Sequence, residues 1–262
     1  MEDWGALGDE IANWIKEYAE ENQITTLIVG VSGGVDSAVT STLCANSGIK
    51  TMALNMPIHQ DQGQYELSKM HIEWLEANWG NVEGRRIDLT ETFDYLCNKD
   101  LGGHHISNLA MANTRARLRM VTLYAIAGSN DGIVVGTGNK IEDFGVGFFT
   151  KYGDGGVDIS PIADLYKSEV FALAESLGVI RRIREAAPTD GLWGDGRTDE
   201  EQIGANYEEL EWAMKIMDDP SEEPLTDRQK EVLEVFQRFN RENAHKMKGV
   251  PIFVRNRGSA ED

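Results

Sequence analysis

Residues 30–38 read GVSGGVDSA and place small, hydroxyl-bearing and acidic residues directly after an apolar run. Gly33 and Gly34 allow a tight turn that leaves room for a ligand against the backbone amides. Ser32 and Ser37 add hydroxyl donors, and a helix that begins after the turn points its amino terminus at the same place. Together these groups predict an anion site suited to phosphate.

Asp36 is the unusual member of this segment, because a carboxylate repels phosphate unless a cation lies between them. Mg²⁺ takes one or two carboxylates together with phosphate oxygens, so Asp36 is predicted to be a magnesium ligand. The alternative is an ordinary turn in which Asp36 caps the following helix. Two other phosphate-binding patterns are excluded: no G-x-x-x-x-G-K-[ST] occurs, and no G-x-G-x-x-G follows a predicted strand.

Hydrophobic patterning predicts the elements that position this loop. Residues 7–21 have the periodicity of an amphipathic helix, and the apolar run Thr26–Val31 is typical of a buried parallel strand. Further strands are predicted at Lys50–Asn55, Arg85–Leu89 and Ile133–Gly136, and further helices at 36–45, Tyr65–Trp79, Ala110–Ala127, Lys167–Leu177, Tyr207–Met217 and Asp227–Ala244. Loops are predicted at 144–164 and 186–204. The alternation favours an α/β fold, a doubly wound, mostly parallel sheet with helices on both faces.

Composition limits the kinds of partner. The 262 residues include 25 Lys and Arg against 44 Asp and Glu, a formal charge of −19. A field of that sign repels nucleic acid and anionic membrane surfaces, so neither is expected as a partner. No apolar run approaches the ~20 residues of a membrane span, and the acidic start argues against a secretory or transit segment. Two cysteines exclude a disulfide framework, and the cytoplasm is the expected location.

The SGGVDS loop resembles that of the ATP pyrophosphatase superfamily, whose members split ATP to AMP and pyrophosphate while adenylating a substrate oxygen. A second pair of segments, GTGNKIED at Gly136–Asp143 and FFTKYGDGGVDISPIADLYKSEV at Phe148–Val170, resembles the ammonia-dependent NAD synthetases. Three shorter matches follow in order: APT at Ala187–Thr189, NYEEL at Asn206–Leu210 and HK at His245–Lys246. The resemblance implies an ATP- and Mg²⁺-dependent amidation of nicotinic acid adenine dinucleotide (deamido-NAD) to NAD by ammonia, through an adenylated intermediate.

The resemblance also implies roles for individual residues. ATP would be bound by Gly30, Ser32, Gly33, Gly34, Asp36, Ser37, Thr137, Lys167 and Thr189. Deamido-NAD would be bound by Arg117, Lys151, Asp158, His245 and Lys246. Mg²⁺ would be held by Asp36 and Glu142, and the catalytic residues would be Asp36, Lys167 and Asp154. Asp154 could orient or deprotonate ammonium, or it could only form a turn.

The sequence also predicts how the chain is organised and assembled. The resemblance implies one synthetase domain over residues 1–254 and a homodimer, and the polar end of the chain predicts a disordered tail over 255–262. Glutamine-using relatives carry a further amidase domain for which this chain has no segment, so a separate glutaminase could supply ammonia. One residue more lies between Glu142 and the FFTK run than the family pattern has.

Two alternatives stay open at this point. One is a sibling enzyme such as the ATP-cleaving subunit of GMP synthetase, and the other is a nucleotide-binding module that has lost catalysis. The joint presence of Asp36, Glu142 and Lys167 argues against the second.

Overall fold

The computed structural model describes residues 3–186, 198–220 and 223–255. The strands in this part of the chain are β1 Thr26–Gly30, β2 Lys50–Asn55, β3 Val82–Arg86 and β4 Gly132–Val135. The helices are α1 Trp4–Glu21, α2 Val35–Asn46, α3 Gln62–Asn78, α4 Thr90–Tyr95, α5 Asn108–Ala127, α6 Lys167–Ser176, α7 Arg181–Arg184, α8 Asp199–Ile203, α9 Tyr207–Asp218 and α10 Asp227–Met247. Two short segments are π-helical, Leu96–Asp100 and Ile141–Val146.

The four strands form one parallel sheet in the order β3-β2-β1-β4. Strand β1 lies between β2 and β4, with Val29 opposite Ala53 on one side and Val135 on the other. The chain moves outward from β1 through β2 to β3 and then returns to place β4 on the other side of β1. In open parallel sheets a ligand crevice forms at the carboxyl ends of the strands, where the strand order reverses. The fold therefore places a crevice at the ends of β1 and β4.

Helices cover both faces of this sheet, which explains the uninterrupted apolar character of β1. Leu27 and Val29 face a core that Leu43 of α2 and Leu173 of α6 share. Ile28 faces the opposite core, to which β2, β4 and α5 contribute. The predicted α/β fold class is confirmed.

A third apolar cluster anchors the segment that follows β4. Ile141, Leu210 of α9 and Phe236 of α10 are fully buried against one another. The last two helices therefore hold the π-helical segment Ile141–Val146 beside the end of the sheet.

Three sequence predictions differ from the structure. The third strand is Val82–Arg86 rather than Arg85–Leu89, because this half-exposed edge strand carries one apolar residue and no alternating pattern. The predicted loop 144–164 overlaps the π-helical segment, and Ile159 within it bridges to Val135. The predicted loop 186–204 contains helix α8. No described helix is long and apolar enough to cross a membrane.

His71 on α3 is fully buried in the first core and is not part of any predicted site. Its Nε2 lies 3.0 Å from the Ser41 hydroxyl, and its ring stacks on Trp74 with 5.4 Å between centroids. Burial lowers the pKa of His71 to about 4, so the imidazole is neutral in the folded protein at pH 7.

This lowered pKa predicts an acid-sensitive contribution to stability. The unfolded chain binds a proton at His71 below about pH 6.5, whereas the folded chain resists protonation down to about pH 4. The contribution of neutral His71 to the free energy of unfolding is therefore complete above pH 6.5 and is lost as the pH falls towards 4. We expect His71→Leu to lose about 2 kcal/mol less unfolding free energy than the wild type between pH 7 and pH 5. Urea unfolding at both pH values measures this difference, and equal losses in the two proteins would contradict it.

Candidate active site

A cavity of about 590 Å³ opens at the carboxyl ends of β1 and β4. The phosphate-loop residues predicted from the sequence all line it: Gly30, Ser32, Gly33, Gly34, Asp36 and Ser37. Thr137, Glu142, Asp154, Lys167 and Lys246 line it as well. The fold therefore gathers most of the predicted ATP, metal and catalytic residues around one space.

The loop between β1 and α2 is held open by hydroxyl contacts. The Ser37 hydroxyl donates to the Gly34 carbonyl at 3.0 Å and accepts from the Ser32 amide at 3.1 Å. The Ser32 hydroxyl accepts from the Gly34 amide at 3.2 Å. Helix α2 begins at Val35, so its first amides face the same space. This arrangement has the donors and the helix terminus that bind phosphate.

Gly33 is required by both conformation and space. Its φ is +97°, and a Cβ there would lie 2.6 Å from the Gln64 carbonyl oxygen at the start of α3. We expect Gly33→Ala to displace the loop and to weaken ATP binding at least tenfold, with a loss of roughly 1–3 kcal/mol in stability. Calorimetric titration with ATP measures the first effect, and Gly48→Ala, at a φ of +76° with open space around it, is the control for backbone strain alone. Equal ATP affinities in the two variants would contradict the steric argument.

Lys167 joins two carboxylates from distant parts of the chain. Its Nζ lies 2.7 Å from Asp36 Oδ2 and 2.8 Å from Glu142 Oε1, and the lysine side chain is 3% exposed. Lys167 is the first residue of α6, where the helix dipole disfavours a cation. The two carboxylates offset that cost, and Glu211 of α9 accepts from the Ser168 amide at 2.9 Å and so holds the same turn.

The pKa shifts of these three groups follow from burial and mutual attraction. Burial raises the pKa of Asp36 above its ordinary value, and the Lys167 charge only partly offsets this. For Glu142, burial opposes ionisation, but the Lys167 charge and the hydrogen bonds from Lys167 and Tyr207 hold the pKa below its ordinary value. The pKa of Lys167 is raised because both carboxylates outweigh its burial. The lysine is therefore a permanent cation at neutral pH.

Two further side chains fix the carboxylates and were missed by sequence reasoning. Buried Asn139 donates from Nδ2 to Asp36 Oδ1 at 3.0 Å, and its Oδ1 accepts from the Glu142 amide at 3.1 Å. The Tyr207 hydroxyl donates to Glu142 Oε1 at 2.7 Å, and Lys167 Nζ lies 4.8 Å from the centre of the Tyr207 ring. Tyr207 lies 65 residues after Glu142, so no local pattern indicates this contact.

The donor set at Asp36 and Glu142 fits magnesium. Two carboxylates lie within reach of one cation. One or two carboxylates are the protein ligands that Mg²⁺ takes beside phosphate oxygens and water. No group of three or more His, Cys, Asp or Glu in the described ranges is arranged to hold a metal by itself. The residues present therefore suit an ion that arrives with a phosphate ligand.

The segment that contains Glu142 is a π-helical turn over residues Ile141–Val146. Such turns inside helices are frequent at functional sites. The turn leaves Asp143 on the cavity wall, against Gly138, where a Cβ would lie 2.0 Å from the carboxylate. Burial and then the charges of nearby carboxylates raise the pKa of Asp143 to about 7. Sequence reasoning did not predict Asp143 in the site.

Asp154 also lines the cavity. Its Oδ1 accepts from the Thr150 amide at 3.0 Å, and the Thr150 hydroxyl donates to Asn113 of α5. The side chain is open to the cavity, yet the surrounding protein desolvates it enough to raise its pKa. The carboxylate thus both closes a local backbone turn and faces the cavity, so both predicted roles of Asp154 are compatible with the geometry.

The residues predicted to bind deamido-NAD form a second group, mostly outside the cavity lining. The Arg117 guanidinium donates to the Lys151 carbonyl at 3.2 Å, and Lys151 Nζ donates to the His245 carbonyl at 2.7 Å. Lys246 lines the cavity and donates to two backbone carbonyls, at Gly147 and Phe149. These contacts link α5, the segment after β4 and α10.

Asp158 and Thr189 stand apart from that group. Asp158 accepts from the Val134 amide at 2.7 Å and from the Tyr124 hydroxyl at 3.0 Å, and so ties its segment to β4. Thr189, predicted to contact ATP, lies outside the described residues. Ligand binding by all of these residues stays a prediction.

Comparisons with known proteins agree with this geometry. The family model for NAD synthase matches residues 7–250. The chain is 38% identical over 211 residues to the NH3-dependent NAD+ synthetase of Carboxydothermus hydrogenoformans, covering 79% of this chain and 84% of that protein. It is 36% identical over 247 residues to the enzyme of the same name from Alkaliphilus oremlandii, covering 91% and 92%.

A solved structure extends the likeness to three dimensions. The NMN synthetase of Francisella tularensis superposes with a TM-score of 0.84 at 30% identity, covering 98% of this chain and 100% of that one. The family-model match spans the phosphate loop, both carboxylates and the lysine that bridges them. The chain belongs to the NAD synthase family.

Proposed function

We propose that this chain is an ammonia-dependent NAD synthetase, a ligase that uses ATP to convert deamido-NAD to NAD. The carrying observation is the Lys167 bridge between Asp36 and Glu142, beside an open phosphate loop. Membership of the family supports the reaction class. We treat residues 1–254 as one synthetase domain and expect the reaction in the cytoplasm.

The reaction has two balanced steps. A nicotinate carboxylate oxygen attacks the α-phosphorus of ATP, the bond from that phosphorus to the bridging oxygen breaks, and pyrophosphate leaves with the electron pair. Ammonia then attacks the acyl carbon of the adenylate, and AMP leaves with the former carboxylate oxygen. Both steps need anions to be held together, so positioning and charge stabilisation contribute most of the catalysis.

The residues of this chain divide that work. The amides and hydroxyls around Ser32 and Gly34 bind phosphate oxygens, and Lys167 orients Asp36 and Glu142. These two carboxylates would hold Mg²⁺, which when bound neutralises phosphate charge. Asp154, which also lines the cavity, orients ammonium and accepts its proton.

We also propose that the active form is a homodimer. The resemblance to the ammonia-dependent NAD synthetases supports this, and helix α5 exposes Val121, which does not line the cavity, to 58%. An exposed apolar side chain outside the cavity is compatible with burial against a second copy. Light scattering should find about twice the 29.1 kDa chain mass, and a fully active monomer would refute the dimer.

The nitrogen source is ammonia, which a separate glutaminase could supply. Of the two cysteines, Cys44 is fully buried, and burial raises the pKa of its thiol to about 12. Cys97 is half-buried with its thiol pKa raised as well, so neither has the lowered pKa of a nucleophile. We expect NAD formation with ammonium and none with ammonia-free glutamine. Equal rates with both sources would contradict the proposal.

A second candidate substrate is nicotinic acid mononucleotide. The observation that favours it is the high structural likeness to a protein titled NMN synthetase. The test is the ratio of kcat/KM for the dinucleotide and the mononucleotide at fixed ATP, Mg²⁺ and ammonium. A ratio well above one supports NAD synthesis, and a ratio well below one assigns the mononucleotide.

A further inference from the structure

Helix α5 contributes one wall of the cavity, and one residue on that wall is a cation. The cavity-lining residues of α5 recur at helical spacing: Leu109, Ala112, Asn113, Ala116, Arg119, Met120 and Leu123. Apart from Asn113 and Arg119, these residues are apolar. Neither the resemblance nor the comparisons assign a role to this arginine.

The Arg119 guanidinium is held in place by two neutral acceptors. Its Nε donates to the Met56 carbonyl at 3.0 Å, and its Nη2 donates to Gln60 Oε1 at 3.0 Å. A guanidinium has five N–H donors, so three remain beyond these two bonds. In the part of the chain that the structure describes, these three have no acceptor. The protein thus orients the side chain but leaves some of its N–H donors available to a ligand.

Arg119 has no direct ion pair among the described residues, whereas Lys167, another cation of the cavity, is bridged between two carboxylates. Burial, and then the nearby charge of Arg115, lowers the pKa of Arg119 to about 10, and the charge of Asp154 in the same cavity partly opposes this. The group is therefore still a cation at neutral pH. A desolvated cation with free donors is a good binding group for carboxylate or phosphate oxygens.

The position of Arg119 places that binding group beside the phosphate loop. Its partner Gln60 precedes α3, and the backbone of Gln64 in the first turn of α3 packs against Gly33. Among the cavity-lining residues of α5, Asn113 accepts from the hydroxyl of Thr150, which directly precedes Lys151 in the segment that is predicted to bind deamido-NAD. The cavity-lining side of α5 that includes Arg119 therefore connects the phosphate loop with that segment.

We propose that Arg119 is a catalytic residue that binds the anionic oxygens where the substrate carboxylate and the α-phosphate of ATP combine. The proposal rests on the proposed ligase function. The free N–H groups hold the two anions together before attack and retain the acyl-adenylate until ammonia arrives. The bond changes are those given above, and Arg119 transfers no proton.

The test uses Arg119→Ala and Arg119→Lys in the full chain, with Arg115→Ala as the matched control. Arg115 lies one turn earlier on α5, stacks over Phe93 at 5.0 Å and does not line the cavity. Wild-type NAD formation from deamido-NAD, ATP and ammonium is measured first, because its absence would reject the function rather than the inference. We then expect Arg119→Ala to lower turnover on the order of 10²-fold or more, while Arg115→Ala stays within a few-fold of wild type.

Binding measurements identify which anion Arg119 holds. Calorimetric titration with α,β-methylene ATP and, separately, with deamido-NAD reports the phosphate and the carboxylate, and a tenfold loss for either one supports the proposal. Added methylguanidinium should restore part of the turnover of Arg119→Ala, a rescue that a purely structural role would not give. Wild-type turnover in Arg119→Ala would overturn the proposal. So would a loss of turnover that methylguanidinium does not restore and that accompanies a lowered Tm in both Arg119 variants.

Discussion

Replacing Lys167 with methionine is expected to lower turnover on the order of 10³-fold and to reduce the unfolding free energy by about 3 kcal/mol at pH 7. The ammonium is 3% exposed and bridges Asp36 and Glu142, so its loss leaves two largely buried carboxylates without their shared cation. Steady-state kinetics and urea unfolding measure the two effects.

The pH dependence of this variant separates electrostatics from packing. Because the pKa of Lys167 is raised, its stabilising contribution in the wild type is complete at neutral pH and is lost only in strong alkali. In the variant the carboxylates can relieve their repulsion by binding a proton, so the stability deficit should shrink between pH 8 and pH 5. Lys140→Met is the control, since Lys140 pairs with the 94% exposed Asp164. A deficit that does not change with pH would assign the loss to packing.

Replacing Asp36 with asparagine is expected to lower turnover on the order of 10²-fold or more with little change in shape. The amide keeps the size of the carboxylate but carries no charge for Lys167 or for Mg²⁺. Its NH₂ group would also face the N–H donor of either Lys167 or Asn139, where the carboxylate has an acceptor oxygen. The Mg²⁺ concentration for half-maximal turnover should rise.

Asp164→Asn makes the same chemical change at an exposed carboxylate outside the cavity lining. It should leave both turnover and magnesium dependence at wild-type values. Unchanged turnover of Asp36→Asn at limiting Mg²⁺ would instead assign Asp36 to the helix-capping role that sequence analysis left open.

The sequence predicts those parts of the fold and site whose signals are local. Strand β1 is buried on both faces and so reads as an unbroken apolar run, and the loop after it contains its own glycines and serines. Strand β3 is a half-exposed edge strand with the sequence VEGRR, so nothing in its pattern marks its bounds. Composition and periodicity therefore place the centre of the sheet better than its edge.

The long-range contacts of the site could not be predicted in this way. Tyr207 donates to Glu142, 65 residues away in the sequence, and Asn139 donates to Asp36, 103 residues away. Both contacts depend on how α9 and the segment after β4 pack. The position of Asp143 depends on the π-helical turn Ile141–Val146, which the sequence analysis did not predict. Arg119 has the same residue type and helix as Arg117, and only the structure distinguishes the cavity-facing side chain from its neighbour.

The most direct test of the central claim follows one oxygen atom. Deamido-NAD labelled with ¹⁸O in the nicotinate carboxylate is incubated with the purified chain, ATP, Mg²⁺ and ammonium, and the products are analysed by mass spectrometry. An adenylated intermediate requires one labelled oxygen to appear in AMP, with one pyrophosphate and one NAD formed for each AMP. Release of ADP, or of AMP without the label, would contradict the account.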